Sequence, residues 1–125
     1  MKSCIFCKIR DRIIPKEFTY EDANIMVFPD IHPLKPVHLL IIPKKHLGDL
    51  LMMNDKARPP SPESEANGGQ GLMIKLTKVI QKMIKEQKLE NKGYRVVING
   101  GGAQIIDHLH LHLMGPLGKA AEMSA

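Results

Sequence analysis

Apolar and polar residues follow two different periods along this chain. Leu72, Leu76, Val79, Met83 and Ile84 recur at helical spacing, with Lys75, Lys78, Lys82 and Lys85 between them. That pattern predicts an amphipathic helix of about five turns, ended near Asn91-Lys92-Gly93 by a glycine suited to the left-handed conformation. Asn24 to Phe28 is a short apolar run punctuated by Pro29-Asp30, and reads as a strand. Val37 to Ile42 is almost wholly apolar between Pro36 and Pro43, which predicts a strand buried on both faces. Tyr94 to Asn99 reads as a strand before the Gly100-Gly101-Gly102 turn, and His108 to Met114 alternates without a break. Leu47 to Met53 suggests a short helical turn, while Ile9 to Phe18 is basic and irregular. The order strand, strand, helix, strand, strand has no parallel-crossover rhythm. The expected fold is α+β: an antiparallel sheet of about five strands with one long and one short helix.

A length of 125 residues suits a single domain spanning 1–125. Scarce aromatics, with no Trp, imply an aliphatic core. Between Asp55 and Gly71 the composition turns to Pro, Ser and Gly, so a mobile loop is expected at about 56–71. No apolar run approaches the roughly 18 residues of a membrane span, and the first residues do not resemble a secretory signal. The expected setting is a reducing cytoplasm, with no membrane partner. The formal charge of +5 attracts anions, and a phosphorylated small molecule satisfies it as well as a nucleic acid does. Nucleic acid is not the expected partner, because no stacking aromatics accompany the lysines.

The informative segment is His108-Leu109-His110-Leu111-His112-Leu113-Met114. In a strand, residues two apart share a face, so three imidazoles project to one side and three leucines to the other. Three adjacent ionisable rings disfavour one another's charging and titrate as a coupled set. Such a row can supply a nucleophile, a proton donor and an anion-binding group. A competing reading is a metal site, since His-x-His on a strand presents two imidazoles to one ion. Asp107 is the nearest acidic residue, but its odd position points it with the leucines.

The seven-residue run resembles the motif of the histidine-triad family, His-φ-His-φ-His-φ-φ with φ apolar. Cys4-Ile5-Phe6-Cys7-Lys8-Ile9, Phe28-Pro29-Asp30-Ile31, Pro36 to His46 and Asn91 to Asn99 are similar to the Hint branch of that family in order and spacing. The resemblance implies a HIT-like fold and a two-fold homodimer, to whose interface Val96 and Ile98 are suited. It further implies purine nucleoside phosphoramidase activity on partners such as AMP, GMP or an adenosine phosphoramidate. His110 would be the nucleophile that forms a nucleotidyl-histidine intermediate. His112 would contact the phosphate and help protonate the leaving amine, and His108 would orient His110, partly through its carbonyl. His38 would stand beside the phosphate, Asp30 and Ile31 would hold ribose and base, and Asn99 and Gln104 would lie near the phosphate and leaving group. Backbone N–H groups of the Gly100-Gly101-Gly102 turn would help meet the phosphate, and no cofactor is required for catalysis. The chain departs from the family in having Ile105 where Ser or Thr usually follows the Gln, in a shorter Gly-rich turn, and in a tail without Trp-Pro-Pro. The alternative function is a nucleotide-binding scaffold with little catalysis.

Cys4-x-x-Cys7 leaves two readings open once a redox pair is set aside for want of a βαβ context. The cysteines are small apolar packing residues, or they are metal ligands. Some triad proteins with this N-terminus hold a structural zinc, and the matching set here is Cys4, Cys7, His46 and His108.

Overall fold

The computed structural model describes residues 4–53 and 71–118. The loop expected at about 56–71 therefore lies, but for Gly71, outside the described residues. A short helix α1 (Ile5–Arg10) precedes strands β1 (Tyr20–Glu21), β2 (Ile25–Pro29) and β3 (Val37–Pro43). A 3-10 turn (Leu50–Met52), helix α2 (Leu72–Glu86), β4 (Arg95–Ile98) and β5 (Leu111–Gly115) follow. The five strands form one antiparallel sheet in the order β1-β2-β3-β5-β4. Among the described residues no helix is long and apolar enough to cross a membrane.

Strand alternation sorts the core into two layers. Leu39 and Ile41 of β3, with Leu109, Leu111 and Leu113, pack beneath α2 on one face. Leu40 and Ile42 point the other way and join Met26, Phe28, Phe6 and Ile9 under α1. β3 is thus buried on both faces. Helix α2 buries Leu72, Leu76, Val79, Met83 and Ile84, the five residues of its apolar stripe. Because Leu40 pairs with His112 and His38 with Met114, the triad lies on the α1 face, opposite the long helix.

Four details differ from the sequence reading. Residues 5–10 form a helix, capped by Cys4, whose Sγ accepts the Cys7 N–H at 3.4 Å. Its six residues are too few to show a period, and packing of Phe6, Cys7 and Ile9 holds it. β1 is only two residues long, held in a hairpin by Asp22, whose carboxylate accepts from the N–H groups of Asn24 and Ile25. The ladder of β5 begins at Leu111, three residues after His108, because Pro43 has no N–H to give and its carbonyl is taken by the His108 ring.

The long helix also stops earlier than expected, at Glu86, after 15 residues. Lys88, at φ 59°, takes the left-handed position, and Leu89 N–H returns to Ile84 O in a Schellman closure that buries Leu89 against the core. Gly93 is needed for a separate reason. Its φ is +79°, and a Cβ there would sit 1.9 Å from the Gly118 carbonyl oxygen.

These two positions separate sharply by experiment. Gly93→Ala should destabilise by about 1–3 kcal/mol or more, since both its conformation and the space are wrong. Lys88→Gly should be neutral or stabilising by up to about 1 kcal/mol, since only the conformational strain is relieved. Urea unfolding compares them, and equal losses in the two variants would refute this account.

Candidate active site

Each triad ring is oriented by a backbone group or by another side chain. His108 is fully buried, and its Nε2–H donates to the Pro43 carbonyl at 2.8 Å. A carbonyl only accepts, so Nδ1 of His108 keeps the lone pair. That lone pair faces sulfur: Cys4 Sγ lies at 3.3 Å and Cys7 Sγ at 3.6 Å. His110 donates from Nδ1 to the His108 carbonyl at 2.7 Å, which leaves its lone pair on Nε2. Phe6 packs edge-on against both rings, with centroids 5.7 and 5.2 Å away. Burial, reinforced by nearby His46, Arg10 and His110, lowers the His108 pKa to about 4. Burial also lowers that of His112, with His110 and His38 adding to it and Asp30 opposing. Both rings are therefore neutral at neutral pH.

A cavity of about 350 Å³ opens on this face, with His110, His112, Asp30 and Asn99 in its lining. Phe6, Ile9, Phe28 and Leu40 make an apolar wall, and the exposed Ile31 and Ile105 stand at its rim. Such a mixture of a few convergent polar groups with apolar walls suits a ligand that is polar at one end. Of the other residues singled out in the sequence, His38 stands behind His112, with Nε2 2.9 Å from His112 Nδ1 and 3.4 Å from Asp30 Oδ2. His32 is exposed, yet it too lines the cavity.

The Gly-rich turn is braced by two side chains. Gly101 N–H donates to Asp49 Oδ2, Gly102 N–H to Gln104 Oε1, and Ala103 N–H to the Gly100 carbonyl. Two of the turn's three glycine amides thus have side-chain acceptors. Gln104 completes the bracing by donating to the Gly48 carbonyl at 3.0 Å, and it is not part of the cavity lining. Asp49, which also caps the 3-10 turn, was not singled out in the sequence, because its partner lies 52 residues away.

Sequence reasoning also missed Lys16, which lines the cavity with Nζ 4.9 Å from the Phe28 ring centroid. Helical spacing could have exposed the role of Ile5, Phe6 and Ile9 had the helix been longer. Beside the cavity, Cys4, Cys7, His46 and His108 bring their ligand atoms within 4.8 Å of one another. Cys7 Sγ is 3.2 Å from His46 Nδ1. Burial pushes the Cys7 thiol pKa up, and the neighbouring Cys4 does so further. For a tetrahedral ion with the usual metal–sulfur and metal–nitrogen lengths, sulfur and nitrogen stand about 3.6 Å apart, so the donor set fits zinc.

Comparison with known proteins agrees with the fold and the motif. The family model described as "Scavenger mRNA decapping enzyme C-term binding" matches residues 3–124. The chain is 38% identical to protein HitA of Neisseria gonorrhoeae over 117 residues, covering 92% of this chain and 97% of that one. It is 40% identical over 113 residues to a HIT-like protein of Chlamydia muridarum, covering 89% of this chain and 79% of the other. Among solved structures, a HIT family hydrolase from Clostridium thermocellum superposes with a TM-score of 0.76 at 35% identity, covering 95% and 96% of the two chains. A histidine triad protein from Clostridium difficile does so with a TM-score of 0.73 at 34% identity, covering 91% and 92%. With its antiparallel five-stranded sheet, its alternating histidines and these relatives along nearly its whole length, the chain belongs to the histidine-triad (HIT) family.

Proposed function

We propose that the protein is a purine nucleoside phosphoramidase of the Hint branch, cleaving the P–N bond of an AMP- or GMP-amine conjugate. The observation that carries this reading is the His110 ring, which borders the cavity with Nδ1–H spent on a carbonyl and Nε2 free to attack. Nε2 forms a bond to the α-phosphorus as the P–N bond breaks, and the amine leaves with the bonding pair and takes up a proton. Water then attacks the phosphorus, the bond to His110 breaks, and the nucleoside monophosphate is released with loss of a proton to solvent. His112 and His38 serve the phosphate side, Asp30 and Ile31 the ribose and base, and Asn99 the leaving-group side. Gln104 acts through the turn it braces. The cysteines point to a reducing cytoplasm as the setting.

His110→Ala should lower turnover of an AMP-amine conjugate by on the order of a thousandfold or more, with wild type forming an acid-quenched AMP adduct on His110. Equal turnover by the two proteins would end the mechanism. A second reading has its own observation. Ile105 is 99% exposed and lines the cavity, at the position where the family resemblance implies Ser or Thr. If the protein is a nucleotide-binding scaffold, AMP binds tightly while neither adduct nor turnover is found.

The zinc belongs to this proposal as a structural ion on Cys4, Cys7, His46 and His108. Four protein ligands leave no position for a water, so the ion would pin α1 to the start of the triad segment rather than activate a nucleophile. Elemental analysis should find roughly one equivalent of zinc, lost in Cys4→Ser while His110 still forms its adduct. Less than about a tenth of an equivalent, with both thiols freely titratable, rules the ion out. In chelated protein, His108 has a pKa lowered from 6.5 to about 4. The folded state must then forgo a proton that the unfolded chain accepts, so stability is complete above pH 6.5 and falls as pH drops toward 4. His108→Gln should flatten that decline, and an unchanged slope would show that the ring is not its source.

The homodimer is assigned to the free edge of β4, where Tyr94, Val96 and Ile98 remain exposed. Sedimentation at micromolar concentration should show a dimer that Val96→Glu with Ile98→Glu dissociates; a wild-type monomer overturns the assignment.

A further inference from the structure

Leu34 lies in the segment between β2 and β3, and its side chain is exposed. Its N–H, however, donates to His38 Nδ1 at 3.0 Å. A backbone N–H has no lone pair to offer, so His38 Nδ1 must carry one, and the ring's single hydrogen sits on Nε2. That nitrogen is 2.9 Å from His112 Nδ1. Two N–H groups cannot face each other at this distance, so His112 Nδ1 accepts and His112 carries its own hydrogen on Nε2. Asp30 Oδ2 lies 3.4 Å from His38 Nε2 and 3.9 Å from His112 Nδ1, nearer the nitrogen that carries the hydrogen. Adding a proton to either ring would set it against the Leu34 N–H or the His38 Nε2–H. Burial of His112 acts in the same direction.

We infer that the Leu34 N–H, acting through His38, locks His112 as an uncharged Nε2–H donor beside the lone pair of His110. This rests on the phosphoramidase reading for its consequence in catalysis. One ring then attacks phosphorus while its neighbour holds a phosphoryl oxygen. His112 then offers a hydrogen rather than a lone pair on the side of His110, as the role implied by the family resemblance requires. Leu34 and His38 are positioning residues in this lock, acting on the phosphate side through His112.

Ring nitrogen–proton correlation spectra of ¹⁵N-labelled protein read the tautomers directly. Wild type should show His38 and His112 each protonated at Nε2 alone. L34A keeps the N–H and should keep both spectra and turnover. L34P removes the N–H, and leucic acid incorporated at position 34 removes it while leaving the side chain in place. Both should give His112 a population protonated at Nδ1, with kcat about tenfold lower and KM for the AMP-amine conjugate within about twofold. A wild-type His112 protonated at Nδ1 would overturn the lock, and so would unchanged tautomers and turnover in the ester variant. A wild type with the predicted spectra but no phosphoramidate turnover supports the lock and removes the proposed function instead, so the two readings fail separately.

Discussion

A buried imidazole must satisfy two ring nitrogens, and the way this protein does so sets the rest of the site. Pro43 O takes the hydrogen of His108, His108 O takes that of His110, and Leu34 N–H fills the lone pair of His38. None of these partners can exchange roles, because a carbonyl only accepts and an amide N–H only donates. The free nitrogen of each ring is thereby decided: toward sulfur for His108, toward the cavity for His110, toward His112 for His38. Desolvation adds a second constraint at His108 and His112, where burial lowers the pKa, against the pull of Asp30 in the case of His112. His108 and His112 are neutral rings as a result.

This arrangement depends on the division of the sheet into two unlike faces. One face packs leucines and other aliphatic residues against α2 and supplies the apolar burial that holds β3 and β5 in register. The other carries the histidines beneath α1, a helix too short to persist alone. It is held by Phe6 and Ile9 in the core, and by cysteines that approach His108 and His46. The cavity forms between this helix, the β2 end and the Asn99 to Ile106 segment, so its shape follows from how α1 is anchored. The Gly-rich turn is braced, with Asp49 and Gln104 accepting from the Gly101 and Gly102 amides.

Period and residue type settled a good deal locally. Strict alternation placed three histidines on one face and three leucines on the other, helical spacing picked out the five buried residues of α2, and an unbroken apolar run marked β3 as covered on both sides. These follow from backbone geometry, which links neighbours two or four residues apart whatever the rest of the chain does. Tertiary structure decided what local spacing cannot carry. Helix α1 and strand β1 are too short to show a period. Lys88 ends α2 because Leu89 has a core site to fill, although a glycine stood available five residues on. Two orienting bonds are local, from His110 to the His108 carbonyl and from Leu34 to His38, but the others join distant positions, at sequence separations of 65 for Pro43 and His108, 74 for His38 and His112, and 104 for Cys4 and His108. The sequence therefore determined that three imidazoles share a face. Only the folded chain decided where the hydrogens of His108 and His112 sit, because Pro43 and His38 are brought to them by strand pairing and packing rather than by spacing.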